Sequence, residues 1–256
     1  MAFNKDSIAG TMVFTIVLCL VCSFMITGTA DVLKERKLAK KRDELMRNVL
    51  VAANIDGVTN DNFREIFQAK VEPLLVNLET GEPVVVENVL DYDAKMAAIN
   101  PDTSSSISKD IAKIKTRANN VRIFKVKNDQ GQLQALVLPV YGKGLWSIIY
   151  GFIGMEKDLN TVQGIVFYEH GETPGIGDFV NHEEWRMTWH GKQIYNSNGD
   201  VALKIVKGGA KAGDLNGIDG VSGATRTGAG VEKLIQFWFG KEGYEPLLEK
   251  LKASGV

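Results

Sequence analysis

Asp219-Gly220-Val221-Ser222-Gly223-Ala224-Thr225-Arg226-Thr227 closes a glycine-rich run and opens an apolar one. Gly208, Gly209, Gly213 and Gly217 precede it, so the backbone there can take positive φ and come close to a ligand. Beyond it Val231, Leu234, Ile235, Phe237 and Phe239 recur at helical spacing. A loop of this kind, with hydroxyls at Ser222, Thr225 and Thr227, suits a phosphate, because unpaired N–H groups and the positive end of the helix dipole face it. An ordinary capped loop has the same ingredients. The run Gly220-Val221-Ser222-Gly223-Ala224 is a near miss to a hydrolase nucleophile elbow, which needs an acid and then a histidine downstream. His170, His182 and His190 all lie upstream, so that reading fails on chain order. No G-x-x-x-x-G-K-[ST] run supports a nucleotide-hydrolase phosphate loop.

Around this stretch lies a 256-residue chain, 45% hydrophobic and 24% charged, long enough for one sizeable core. Its formal net charge of −1 supplies no basic field for a nucleic-acid backbone. Cys19 and Cys22 are the only cysteines, and both fall in the apolar N-terminal stretch. The polar remainder can therefore hold neither a disulfide nor a thiolate-bound metal. The three histidines match no metal-ligand spacing and read as solvated or capping residues.

Residues 1–7 form a short tail, and residues 8–30 carry no charge and are rich in Val, Leu, Ile, Phe and Met. That length crosses a hydrocarbon core of about 30 Å and exceeds the apolar region of a cleaved signal peptide. A single uncleaved membrane span is predicted. Lys34, Arg36, Lys37, Lys40, Lys41 and Arg42 follow it, against Lys5 before it, and the positive-inside rule would keep that flank cytoplasmic.

Residues 31–54 read as one helical stalk, and residues 55–120 as a cap region of helical and extended pieces. In the cap, Phe63, Ile66, Phe67, Val71 and Leu74 form one amphipathic pattern, and Pro101 to Ser106 a polar loop. Residues 121–256 form the main domain. Strands are predicted at 121–126, 133–140, 148–155, 161–168 and 201–206, the first two joined by a turn at Asn128-Asp129-Gln130-Gly131. The fold class is α+β: a largely antiparallel twisted sheet with helices on one side.

Three signatures together resemble a known family. Asp219-x-x-Ser222-Gly223-Ala224-Thr225 matches the acceptor motif on which a flavin transferase links FMN to threonine by a phosphoester bond. The second is Gly142-Lys143-Gly144-Leu145-Trp146-Ser147, and the third His170-Gly171-Glu172-Thr173-Pro174-Gly175-Ile176-Gly177. Over nearly its whole length the chain resembles the family formed by the C subunits of sodium-translocating NADH:quinone oxidoreductases. The related G subunit of Rnf electron-transport complexes shares the flavin motif.

The resemblance implies covalent FMN on Thr225, with Asp219, Ser222, Gly223, Ala224 and Thr227 shaping the acceptor loop. It implies contacts from Glu172, Thr173, Gly175 and Ile176, whose loop lies over the flavin in the family, and Trp146 and Tyr141 are candidates to stack on the ring. Lys207, with Gly208 and Gly209, is a candidate neighbour of the phosphate or the ring's electron-rich edge. It further implies a bacterial inner-membrane protein with a periplasmic soluble domain, against the vote of the flanking charges. Its partners would be the other oxidoreductase subunits, a maturing flavin transferase and membrane lipid. The chain shows no nicotinamide fingerprint and no cysteine cluster for iron–sulfur, so substrate oxidation and sodium movement fall to other subunits. A cofactor-free membrane-tethered assembly module is the reading from another class.

Overall fold

The computed structural model describes residues 7–253, and all but Ser7 of the expected N-terminal tail lies outside them. The chain divides into two units, residues 1–44 and 45–256. In the first, Ser7 caps helix α1 (Ile8–Val32) through its Oγ, which accepts from the Gly10 N–H at 3.0 Å. Twenty-five residues at helical rise give roughly 37 Å. Its apolar side chains, Phe14, Leu18, Phe24 and Ile26 among them, are exposed. It is long and apolar enough to cross a membrane. The predicted continuous stalk is instead interrupted at Leu33, after which α2 (Lys34–Ala52) begins.

The second unit is built on a five-stranded sheet in the order β1-β4-β5-β6-β7, every neighbouring pair antiparallel. Its strands are β1 (Val71–Asn77), β4 (Asn120–Lys127), β5 (Leu133–Lys143), β6 (Ile148–Glu156) and β7 (Val162–Glu169). Between β1 and β4 come α4 (Ala94–Ile99) and a small hairpin, β2 (Ser104–Ser106) with β3 (Thr116–Ala118). After β7 come α5 (Glu183–Met187), the parallel pair β8 (Lys204–Val206) and β9 (Gly217–Asp219), then α6 (Thr225–Trp238) and α7 (Glu245–Ala253). Ahead of β1 lies α3 (Phe63–Lys70).

Both faces of the sheet are covered, not one as the sequence reading expected. Val121, Ile123, Leu136, Leu138, Ile149 and Ile153 pack with Val231, Leu234 and Ile235 of α6 and Leu247 and Leu248 of α7. The alternate positions Phe124, Val126, Ala135, Val137, Phe152 and Val166 pack with Val49 and Leu50 of α2 and Phe63 and Phe67 of α3. Successive strand residues point to opposite faces, so a run such as Ala135-Leu136-Val137-Leu138, wholly buried, feeds two cores at once. Phe67, Phe124 and Phe152 meet edge to face, with centroids 6.2 and 5.8 Å apart. Gly154 and Gly164 are cross-strand partners, and a Cβ on either would lie 2.1 or 2.8 Å from the Ala52 carbonyl oxygen. This glycine pair lets the last turn of α2 rest backbone to backbone on the sheet.

Four further expectations are corrected. Val71 and Leu74 do not continue the α3 pattern but lie in β1, since Pro73 disfavours helical backbone at Glu72 and, lacking an N–H, suits an edge strand. The division at residue 120 falls inside the sheet, because β1 pairs with β4 from Val71↔Val126 to Asn77↔Asn120. Ser104, Ser105 and Ser106 are a strand, not a loop, paired across to Ala118, Arg117 and Thr116. The strand expected at 201–206 is confined to β8, while Val201 makes only an isolated bridge to Tyr195.

Candidate functional site

The parallel pair β8–β9 delivers the chain to a turn in which Gly223 takes φ +83°, a left-handed conformation that favours glycine. Ala224 then stands at the N-cap of α6, where its methyl group can accept no hydrogen bond. The helix ladder begins with the Gly228 N–H donating to the Ala224 carbonyl at 3.0 Å. The N–H groups of Thr225, Arg226 and Thr227 thus have no intrahelical acceptor, and no acidic residue occupies the first turn. The start of α6 borders a cleft of about 220 Å³. One wall is residues 223–227; Leu145, Thr173, Ile176 and Gly177 form the other.

Glu172 holds the two walls together. Its side chain is buried, and Oε1 accepts from the N–H groups of Trp146 at 2.9 Å and Ser147 at 3.3 Å. Oε2 accepts from the Leu145 N–H at 3.1 Å and the Thr227 hydroxyl at 2.6 Å. One carboxylate therefore joins the β5–β6 turn, its own loop and the first turn of α6. Burial pushes the carboxyl pKa upward, but the Thr227 hydroxyl and the three N–H groups outweigh it and hold the group below its ordinary value. Gly144 leaves room for this clamp, since a Cβ there would lie 2.6 Å from Glu172 Oε1. The Gly171 N–H adds a second strap, donating to Ser147 Oγ at 2.6 Å. The Thr173 carbonyl gathers the N–H groups of Gly177 at 2.8 Å and Ile176 at 3.2 Å, and Gly175 turns the loop at φ +75°.

This network distinguishes the three hydroxyls of the acceptor loop. Thr227 is buried, and its proton is committed to Glu172. Ser222 is exposed and lies off the cleft lining. Thr225 is both exposed and part of the lining.

Of the other candidates, Thr173, Ile176, Gly223 and Ala224 line the cleft, whereas Asp219, Lys207, Gly208 and Gly209 do not. Asp219 shapes the adjoining loop: its Oδ1 accepts from the Ala210 N–H at 2.7 Å and its carbonyl from the Trp185 indole at 2.8 Å. Lys207 is exposed. Trp146 is 64% exposed, with its indole N–H donating to Thr173 Oγ1 at 3.0 Å. Tyr141 is packed elsewhere, stacked on Tyr150 at 5.5 Å and tilted against Trp238 at 4.7 Å. His170 serves the loop, its Nδ1 accepting from the Glu172 N–H at 3.2 Å. The sequence reading missed Leu145, Gly177 and Arg226 in the lining. Of these Arg226 carried a signal: a cation in a helix's first turn is unfavourable to the dipole unless an anion sits there.

Residues 144–240 match the FMN-binding domain family, a stretch that starts at the β5–β6 turn and includes both walls of the cleft. The chain is 41% identical to the C subunit of the Na(+)-translocating NADH-quinone reductase of Haemophilus ducreyi, over 98% of this chain and 97% of that one. The chain belongs to the family of Na(+)-translocating NADH-quinone reductase C subunits. The Vibrio alginolyticus member is 40% identical over 98% of each chain. Among solved structures, Shewanella oneidensis NqrC superposes with a TM-score of 0.82 at 56% identity, covering 84% of this chain and 99% of that one. The Parabacteroides distasonis C subunit superposes with a TM-score of 0.65 at 26% identity, covering 83% and 94%.

Proposed function

We propose that this C subunit passes electrons through FMN held at the start of α6, within an NADH-quinone reductase that moves Na+, and that the FMN is esterified to Thr225. Relatives under that name over the full length support the assignment to the complex, and the FMN-binding match over the cleft supports the cofactor. The observation that carries the attachment site is the state of the hydroxyls: Thr225 alone in the loop is both accessible and on the cleft, while Thr227 is bound to Glu172. The unpaired N–H groups at the start of α6 suit a phosphate at that point.

Bound FMN supplies one- and two-electron chemistry. The protein's residues would hold and cover it: the first-turn N–H groups of α6 would receive the phosphate, Leu145 and Ile176 would give apolar cover, and Trp146 would offer an exposed ring face. The cleft is smaller than the roughly 300–1,000 Å³ of pockets that enclose a ligand. A cofactor seated here would keep part of its surface open to a redox partner. Because an ester at the phosphate lies far along the ribityl chain from the ring, the link keeps the cofactor local without altering its electronics. No histidine adjoins Thr225 to activate its hydroxyl, so an external flavin transferase makes the bond. The helix α1 is the membrane anchor, inserted once through the bacterial inner membrane with the domain on the periplasmic side. Replacing Thr225 with alanine abolishes covalent flavin fluorescence on a denaturing gel; fluorescence that persists in that variant refutes the attachment site.

A further inference from the structure

We infer that Arg226 is a binding residue for the phosphate of the flavin nucleotide, a role specific to that group and independent of the ring. The inference rests on the FMN reading above. Among the described residues Arg226 is the one ionisable side chain lining the cleft, and it is exposed. Among the described residues it makes no hydrogen bond or ion pair. Its position makes this lack of an anion costly. It sits in the first turn of α6, where the helix dipole is already positive, with no acidic residue in that turn and no side-chain cap. Glu172, the carboxylate tied to that turn through Thr227, has its four acceptor directions filled by Leu145, Trp146, Ser147 and Thr227.

A site with three N–H groups outside the helix ladder, an unpaired guanidinium and no fixed anion suits an anionic oxygen group. A phosphodiester on Thr225 retains one negative charge and two free oxygens, which match the forked guanidinium. Neighbouring side chains diverge by about 100° around a helix. Thr225 and Arg226 nevertheless line the same cleft, so a group held there adjoins both. Arg226 would thus hold the phosphate before attachment and keep it fixed afterwards.

The test separates phosphate from ring. In the full-length chain carrying Thr225→Val, which cannot form the ester, FMN and riboflavin binding are measured by fluorescence with and without Arg226→Gln. Loss of the guanidinium weakens FMN about tenfold, a charge-assisted contact discounted for exposure, and leaves riboflavin unchanged. Arg226→Lys restores most of the FMN affinity. Equal losses for both ligands, or none for FMN, overturn the inference. If the Thr225→Val chain binds neither, the flavin-loaded chain gives the same answer through its phosphorus resonance, which Arg226→Gln shifts; an unmoved resonance overturns it. A Thr225 chain that never acquires flavin mass in cells with the transferase defeats the FMN reading itself, and with it this one.

Discussion

Replacing Glu172 with glutamine keeps the size of the side chain and removes its charge, at the point where the two walls of the cleft are joined. The amide can turn its oxygen toward Trp146 and Ser147, preserving the acceptor now provided by Oε1. Its NH2 then faces the Leu145 N–H and the Thr227 hydroxyl. The hydroxyl can rotate and accept; the Leu145 N–H cannot. One buried donor is orphaned at a cost of about 1–3 kcal/mol, and the remaining bonds lose roughly 1 kcal/mol of charge assistance. Solvent screening does not soften this, because the residue is 4% exposed. The expected loss is about 2–4 kcal/mol, which for a unit of this size lowers the melting temperature by roughly 4–16 °C. Glu172→Ala leaves all three N–H groups without acceptors and is worse than glutamine. Urea and thermal melts of the detergent-solubilised chain measure both. A Glu172→Gln chain within about 0.5 kcal/mol of the parent, the range of ordinary surface changes, refutes the clamp.

The clamp also sets a pH dependence: a carboxyl held below its ordinary value contributes stability that is full above the unfolded-state pKa, near 4, and is lost as pH falls through the folded value. The gap in melting temperature between the parent and Glu172→Gln therefore closes on acidification below about pH 4 and is constant above about pH 6; a gap that widens in acid contradicts the sign. Gly154→Ala drives a methyl group into the Ala52 carbonyl and destabilises the α2 seat by about 1–3 kcal/mol or more, read by urea unfolding of that variant. Phe124→Ala empties the centre of the core beneath α3 and costs about 3–5 kcal/mol; an effect below about 1 kcal/mol removes Phe124 from that role.

The strands β4 to β7 are legible in the sequence because each is an apolar or alternating run bounded by turn residues, as at Asn128 to Gly131. The second helical layer is not. Ala135 to Leu138 reads identically whether one face is buried or two, and only the tertiary placement of Leu50 and Phe67 decides. Val71 and Leu74 mislead because i, i+3, i+4 spacing across a helix-to-strand junction mimics one helix, and Pro73 is the punctuation that breaks it. At the site, the S-G-A-T run singles out Thr225 by resemblance. What ranks Thr225 above Thr227 is a bond to Glu172, 55 residues away in sequence, which no local pattern contains. Asp219 belongs to the same glycine-rich stretch as the cleft yet braces the adjoining loop, since a loop's composition does not tell which of its surfaces faces a ligand.

The intact mass of the chain, extracted from cells that contain a flavin transferase, shows at once whether Thr225 carries FMN. An excess equal to FMN less one water is expected in the parent and is absent from Thr225→Ala. A parent chain with no excess, or an excess that survives loss of the Thr225 hydroxyl, contradicts it.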